Sequence, residues 1–404
     1  MTSSSPIPSS STMPSISPSI SPSMLGAYGP WAAGLVADAP ASHSWRNPTW
    51  TDIDEWRSAA RQQLADCLAM PDTGSTPTVT VERQYVYDGL HMEELSWQLP
   101  YGPRTQALFL KPLDAPAKLP GIVALHDHGG NKFFGWQKIT RSRDELHPRL
   151  AQHLQYYEGV GWANEVAKRG YAVLAPDAHA FGSRRVRLAD VPDAIRNGLN
   201  DADWQADPQA ETLENINAYN TWAASHEAIM AKSLFCAGTS WPGVWLAEDL
   251  RSLDVLCARA DVDVTRIGAG GLSGGGMRTT YLAGMDDRIR CAVCVGMMTT
   301  WRDCVLNKSH THTWMLYPPL LPNSMDYPEI LGLRAPRPTL VQNDIEDSLF
   351  TLSEMQRAER ILEEVFAKAN AADHFRCEYY PGGHKFDLSM QAAAFDWFDR
   401  WLQG

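Results

Sequence analysis

The chain has 404 residues, of which 44% are hydrophobic and 20% charged, and its formal net charge at pH 7 is −12. This length is enough for one large domain with insertions or for two domains. The acidic balance argues against nucleic acid and anionic membranes as partners. The sequence contains no run of 18 apolar residues, so no membrane span is predicted.

Residues 1–30 are predicted to form a disordered tail. Residues 2–23 are mostly Ser, Pro, Thr and Ile, a composition that cannot bury enough apolar surface to offset the entropy of ordering. This segment has neither the basic start nor the apolar centre of a secretory signal. The seven cysteines are scattered and imply no disulfide framework. We therefore expect a cytoplasmic protein.

Residues 46–100 are predicted to pack on the core as an N-terminal helix with edge strands. Apolar residues recur at helical spacing from Trp50 to Met70, and Thr51 with Asp54 resembles a capping box. Two strands are predicted at Val79–Tyr87 and Thr105–Lys111, joined by an irregular segment over Leu90–Gly102. The two strands are predicted to form an antiparallel edge of the sheet.

Residues 101–404 are predicted to form one catalytic domain of the α/β class. Predicted strands begin at Gly121, Tyr171, Arg266, Cys291, Pro338 and Phe375, and predicted helices begin at Tyr157, Leu246, Gly274, Leu352 and Leu388. This alternation of strands and helices predicts a mostly parallel central sheet flanked by helices.

Two segments, 186–239 and 303–333, interrupt the alternation, and we expect them to lie over the active site as helices and loops. Large aromatic side chains in or beside such loops can stack on the rings of a substrate, although they can equally fill the core. The candidate pocket residues are Trp136, Trp241, Trp245, Trp301 and Trp314.

The most informative stretch is Gly271-Leu-Ser-Gly-Gly275, which matches the nucleophile-elbow pattern G-x-S-x-G. A serine at a sharp turn between a strand and a helix projects its hydroxyl beyond the sheet. Glycines two positions before and after it remove side chains that would collide in so tight a turn. Ser273 is therefore the candidate nucleophile.

A serine hydroxyl needs a base to take its proton, and the base needs a group that orients it. His384 follows the last predicted strand in Tyr380-Pro-Gly-Gly-His384 and is the candidate base. The loop after the strand ending at Gln342 offers three carboxylates, of which Asp347 is favoured because the apolar Leu349 and Phe350 beside it can anchor the loop. Asp344, Glu346 and, after the preceding strand, Asp303 remain alternatives; the unused loop carboxylates are expected to be solvated.

Acyl transfer also requires N–H donors that face the developing oxyanion. One is expected from the backbone of Gly274, directly after the serine. The other is expected from the glycine-rich loop His126-Asp-His-Gly-Gly-Asn-Lys132, at Gly129 or Gly130. A metal site beginning at His126-x-His128 is disfavoured, because the positions where a metallo-hydrolase would carry Asp and His hold Gly130 and Asn131. No metal or cofactor is predicted, and no nucleotide-binding motif is present.

Cys291 and Cys294 have the spacing of half a redox or zinc motif. They lie in a predicted strand, where side chains three positions apart point to opposite faces of the sheet. We therefore predict two separate core residues.

Taken together, the motifs resemble the α/β-hydrolase superfamily, most closely the acetyl xylan esterase-like and dienelactone hydrolase-like serine esterases. The matching segments fall in the expected order between about residues 100 and 404: 125–132, 175–184, 263–267, 271–276, 286–289, 347–350 and 382–384. The resemblance implies a triad of Ser273, Asp347 and His384 and no cofactor. Dienelactone hydrolases proper use a cysteine nucleophile, so the serine argues against dienelactones as substrates.

The sequence thus predicts a serine carboxylic ester hydrolase that forms an acyl-enzyme, acting on acetylated carbohydrates or other small esters. The alternatives are an amide or peptide hydrolase with the same triad and a non-catalytic binding protein on a hydrolase scaffold. The expected partner is a small ester, with a homo-oligomer left open.

Overall fold

The computed structural model describes residues 22–36, 38–115, 118–199 and 211–403. Within these residues nine strands form one sheet in the order β1-β2-β3-β5-β4-β6-β7-β8-β9. The strands are β1 (Thr80–Tyr87), β2 (Leu90–Trp97), β3 (Thr105–Pro112), β4 (Leu119–Ala124), β5 (Ala172–Pro176), β6 (Val262–Leu272), β7 (Ile289–Val295), β8 (Thr339–Asp344) and β9 (Phe375–Tyr380).

The α-helices of the described residues lie between and around these strands. They are α1 (Gly29–Leu35), α2 (Ile53–Leu68), α3 (Pro148–His153), α4 (Trp162–Lys168), α5 (Leu213–Cys236), α6 (Trp241–Cys257), α7 (Gly274–Met285), α8 (Trp301–Asp303), α9 (Tyr327–Gly332), α10 (Leu352–Lys368) and α11 (Leu388–Phe398). Two π-helical turns follow helices directly, at Cys304–Lys308 and Asp399–Gln403. None of the described helices has the length and apolar character needed to cross a lipid bilayer.

The sheet is parallel from β5 through β4 to β9, and the pairs β1–β2, β2–β3 and β3–β5 are antiparallel. This arrangement confirms the predicted α/β class with an antiparallel edge. The prediction of an irregular segment over Leu90–Gly102 was wrong, since Leu90–Trp97 forms β2 and pairs along its whole length with β3. Its sequence lacks strict alternation because both faces of this strand are largely covered.

Apolar side chains fill both faces of the sheet. One face packs against α2, α6, α7, α9 and α10, and the other packs against α4 and α11. Cys294 belongs to the first core and Cys291 to the second, and both side chains are fully buried as free thiols. The prediction that these cysteines are separate core residues is confirmed.

The N-terminal region differs from the predictions in two places. Residues 1–21 of the predicted tail lie outside the described residues, but its last residues are ordered: Gly26–Tyr28 form a 3₁₀ turn and α1 begins at Gly29. Pro30 in the first turn suits a helix start, because its missing N–H would have no partner there. The N-cap of α2 is Asp52, whose side chain accepts from the backbone N–H groups of Asp54 and Glu55, rather than Thr51.

Candidate active site

Ser273 lies between β6 and α7 in the backbone conformation that a nucleophile elbow requires. Its φ is +58° and its ψ is −118°, a region that non-glycine residues adopt only when the surrounding structure holds them there. A Cβ on Gly271 or on Gly275 would collide with the carbonyl oxygen of Leu125. The glycines of the motif therefore let the turn pack directly on the end of β4.

His384 and Asp347 meet above the ends of neighbouring strands. Nδ1 of His384 lies 2.6 Å from Oδ2 of Asp347, whose carboxylate is buried. The other oxygen of Asp347 accepts from the backbone N–H of Leu349 at 2.9 Å, which fixes the carboxylate in the loop after β8. With Nδ1 donating to a carboxylate, the second ring nitrogen of His384 is left as a proton acceptor. The structure thus brings together the histidine and the favoured acid.

The alternative carboxylates have other partners. Glu346 is exposed and accepts from the backbone N–H of Gly382. Asp303 is buried and accepts from the Thr299 hydroxyl at 2.9 Å and from the Thr351 N–H at 3.0 Å. Of the four candidate acids, Asp347 is therefore the one that bonds to His384.

Asp344 corrects one expectation, because it is not a solvated loop charge. It is the last residue of β8 and has no exposed surface. One oxygen accepts from the Lys385 N–H at 3.0 Å, and the other is buried without a hydrogen bond. Burial raises the pKa of the Asp344 carboxyl to about 7. A strand that is covered on both faces leaves this carboxyl no route to water.

The loop after β4, residues 126–132 and hereafter the β4 loop, packs on the start of α7. A Cβ on Gly274 would lie 2.9 Å from the backbone nitrogen of His128, so these two chain segments are in close contact. Gly129 and Gly130 both have positive φ, at +50° and +62°. The N–H of Gly130 donates to Nδ1 of His128 at 3.1 Å and is thereby already engaged. The sequence predicts the second oxyanion donor at Gly129 or Gly130, and no pattern in it points to the backbone of His128, which also lies beside Gly274.

Three buried polar side chains bond to the β4 loop, those of Lys138, His153 and Tyr157. The Lys138 ammonium has no exposed surface and donates to the carbonyl oxygens of Asp127, Asn131 and His128. Burial lowers the pKa of Lys138 to about 8. The Asp127 carboxylate accepts from Tyr157 Oη at 2.5 Å and bonds to Nε2 of the buried His153 at 3.0 Å. Lys138, His153 and Tyr157 lie outside the segments that match a motif, so no pattern in the sequence pointed to them.

A cavity of about 260 Å³ lies over Ser273 and His384. Three of its lining residues are histidines, and the others are apolar or polar without a charge. The lining consists of His128, Gly129, Gly130, Tyr156, Ser273, Gly274, Met277, Met297, Thr311, His312, Thr313, Leu316, Leu349 and His384. No Asp, Glu, Lys or Arg is among these described lining residues. A larger cavity of about 830 Å³ lies elsewhere, beside Arg104 and Phe133, and none of the three triad candidates lines it.

The five candidate tryptophans do not line the cavity over Ser273. Trp241 and Trp245 lie four positions apart on α6 and face the core, where Trp301 also packs. Trp136 is buried in the core on the other side of the sheet. Trp314 is 40% exposed. The prediction of a tryptophan-lined pocket was wrong. Trp241 and Trp245 face the core because an amphipathic helix buries its largest apolar side chains against the sheet.

Comparisons with known proteins agree with this architecture. The chain has the α/β-hydrolase fold, as predicted. No protein-family model matches it. It is 26% identical over 350 residues to the putative hydrolase YtaP of Bacillus subtilis (strain 168), covering 86% of this chain and 100% of that protein.

Two solved structures share the fold at low sequence identity. A putative acetyl xylan esterase from Bacteroides fragilis NCTC 9343 is 16% identical with a TM-score of 0.63, over 87% of this chain and 81% of that one. A glucuronoyl esterase from Solibacter usitatus is 13% identical with a TM-score of 0.59, over 88% of this chain and 95% of that one.

Proposed function

We propose that the protein is a serine carboxylic ester hydrolase with a triad of Ser273, His384 and Asp347. The observation that carries the proposal is that an elbow serine and a histidine paired at 2.6 Å to a buried aspartate line the same cavity, whose described lining holds no Asp, Glu, Lys or Arg. The similarity to the putative hydrolase YtaP and the fold shared with the esterase structures support the same reaction class.

In this mechanism His384 takes the proton of Ser273 as the hydroxyl oxygen attacks the ester carbonyl carbon. Asp347 orients the imidazole and stabilises the imidazolium that forms. His384 then protonates the departing alcohol, and the acyl group stays on Ser273. A water molecule, deprotonated by His384, attacks the acyl-enzyme and releases the acid.

The developing oxyanion needs at least two N–H donors. The Gly274 N–H is one, because it begins α7 directly after the serine. We assign the second to the β4 loop at His128 or Gly129, since the His128 nitrogen is packed against Gly274 and the Gly130 N–H is bonded to the His128 ring.

The cavity indicates small, uncharged esters as substrates. The described lining residues hold no permanent charge that could pair with a charged group on the substrate, and four of them are Met277, Met297, Leu316 and Leu349. Removing an unpaired charge from water is costly. Acetylated carbohydrates are one class of small, uncharged ester that remains to be tried.

The decisive experiment is labelling with a fluorophosphonate probe together with hydrolysis of p-nitrophenyl esters. We expect the wild-type protein to react at Ser273, and Ser273→Ala to lose both labelling and turnover, the latter by on the order of 10⁴-fold or more. Circular dichroism should show an unchanged fold. Near-wild-type hydrolysis by Ser273→Ala would refute the assignment, and a wild-type protein that neither labels nor turns over would favour a binding protein.

A matched pair of esters tests the substrate class. p-Nitrophenyl 4-methylpentanoate and p-nitrophenyl hydrogen succinate have acyl groups of similar shape, but the second carries a carboxylate. We expect kcat/KM to favour the uncharged ester by at least about tenfold. Equal rates, or a preference for the succinate ester, would show that a cation outside the described lining reaches the substrate. An anilide of the same uncharged acid tests the amide-hydrolase alternative.

A further inference from the structure

The inserted segment 186–239 contributes no described residue to the lining of the cavity. Instead, one face of α5 is bonded to the β4 loop and the residue after it. Asn220, Ala223 and Glu227 are spaced by three and four positions, so they lie on the same side of the helix. Each of the three bonds to residues between 128 and 133.

Asn220 and Ala223 bind the C-terminal end of the loop. The side-chain oxygen of Asn220 accepts from the backbone N–H groups of Lys132 at 2.9 Å and of Phe133 at 3.0 Å. The carbonyl oxygen of Ala223 accepts from the Lys132 ammonium at 2.9 Å. These bonds replace the strand pairing that the chain loses where β4 ends.

Glu227 binds the part of the loop that faces Ser273. Its Oε1 lies 2.8 Å from Nε2 of His128 and 2.5 Å from Nζ of Lys132. All three side chains are largely buried, and the Lys132 and His128 bonds lower the pKa of Glu227 to about 2 against the effect of burial. The carboxylate is therefore an anion clamped between two loop side chains.

The hydrogen-bond network fixes the tautomer of His128. Its Nδ1 accepts from the Gly130 N–H, so the ring proton of neutral His128 sits on Nε2 and is donated to Glu227. The ring thus links the Glu227 carboxylate to the turn at Gly129 and Gly130. The backbone nitrogen of the same His128 is the atom packed against Gly274.

We propose that Glu227 is a positioning residue that holds the His128–Gly130 turn so that its N–H donor faces the oxyanion. The assignment rests on the proposed esterase function, and it gives the inserted helix a role in the rate of acyl transfer. Glu227 touches no substrate in this arrangement and acts through the His128 ring. Misplacing a donor by about 1 Å can cost on the order of 10²-fold in rate.

The test compares Glu227→Ala with the conservative Glu227→Gln and with Glu214→Gln on the exposed side of α5. Rates are expressed per active site, counted by fluorophosphonate titration, so that misfolded protein does not contribute. We expect Glu227→Ala to lower kcat by about 10- to 100-fold with KM within about threefold. Glu227→Gln keeps an oxygen acceptor for both partners and should restore most of the rate, and Glu214→Gln should match the wild type.

A transition-state analogue separates positioning from a merely structural role. A trifluoromethyl ketone forms a tetrahedral adduct on Ser273 whose oxyanion needs the same donors, so its inhibition constant should rise by the factor by which kcat/KM falls. An unchanged kcat per titrated site, or a fall in kcat without weaker ketone inhibition, would overturn the proposal. Glu227→Asp carries the same test if Glu227→Ala does not fold, because it keeps the charge for Lys132 but is one methylene shorter.

If the wild-type protein showed no turnover, the failure would lie with the esterase assignment. Wild-type turnover with an unaffected Glu227→Ala would leave the esterase assignment intact and remove only the role of Glu227.

Discussion

The two walls of the cavity over Ser273 are held in place by different means. On one side, the β4 loop is supported by two buried charged groups from outside the sheet, Lys138 and Glu227, the second of which lies on α5. On the other side, the loops after β8 and β9 hold each other through main-chain bonds. The Ile345 N–H donates to Tyr380 O at 2.8 Å, and the Glu346 N–H donates to Gly382 O at 3.0 Å.

The difference shows which parts of the site follow from the sheet itself. Neighbouring parallel strands end at the same edge, so the loops that carry Asp347 and His384 meet wherever β8 pairs with β9. Among the described residues, the β4 loop has no comparable strand partner beyond Leu125, whose N–H donates to Gly270 O at 2.9 Å. Its position therefore depends on side chains from outside the sheet, those of Lys138, His153 and Tyr157 and those of the inserted helix α5.

The largest expected effect on kcat comes from Asp347, in the loop after β8. Asp347→Asn should lower kcat by roughly 10²- to 10⁴-fold with little change in KM, because the carboxylate matters most when His384 becomes charged. Steady-state kinetics on a p-nitrophenyl ester, with active sites counted by titration, measure the loss. A kcat within tenfold of the wild type would mean that another group orients His384, and Asp344 would be the next residue to change.

A smaller effect on kcat is expected from Asn220→Ala, which removes some of the bonds between α5 and the β4 loop. This change removes the acceptor of two buried N–H groups, at Lys132 and Phe133, and each unsatisfied group costs about 1–3 kcal/mol of stability. We expect a lower thermal midpoint and a fall in kcat of up to about tenfold, since the loop keeps its bonds to Glu227. Asn217→Ala, on the exposed side of α5, is the control. Equal behaviour of the two variants would show that Asn220 does not support the loop.

Asp344→Asn should act on stability in a pH-dependent way. The folded-state pKa of about 7 lies above the ordinary value of 3.8, so the native state holds this proton more tightly than the unfolded chain. Native stability is therefore lost as pH rises from about 4 to about 7, and asparagine avoids that loss. Thermal midpoints should be similar for variant and wild type near pH 4, with the variant higher by a few degrees at pH 8. A constant difference across this range would contradict a buried, proton-bearing Asp344.

The smallest effect is expected from Glu346→Gln. Its side chain is exposed, and the Gly382 N–H that it accepts can bond to a glutamine oxygen as well. Exposed charges contribute little, so kcat should change by less than about fivefold. Comparison of this variant with Asp347→Asn shows whether catalysis depends on one carboxylate or on the total charge of the loop after β8. A large loss from Glu346→Gln would favour the second interpretation.

Local patterns in the sequence determined much of the fold and part of the candidate site. The helix Gly274–Met285 and the strand Phe375–Tyr380 begin at the residues where the sequence predicted them to begin. Such segments carry strong short-range signals, namely a glycine-rich turn with its own helix and a bounded run of strand-forming residues. The G-x-S-x-G motif likewise specifies its own backbone conformation, so Ser273 could be placed from five residues.

Only the tertiary structure decided how distant segments meet. It paired His384 with Asp347 rather than with Asp344 or Glu346, since three carboxylates within four residues look alike in sequence and differ only in burial and direction. It also placed four of the five predicted pocket tryptophans in the core, left Trp314 exposed, and made α5 a support for the β4 loop. Nothing in the sequence marks Glu227 and Lys132 as a pair. The fold brings them within hydrogen-bond distance, where the cost of burying each charge is offset by the other and by the bonds to His128 and Ala223.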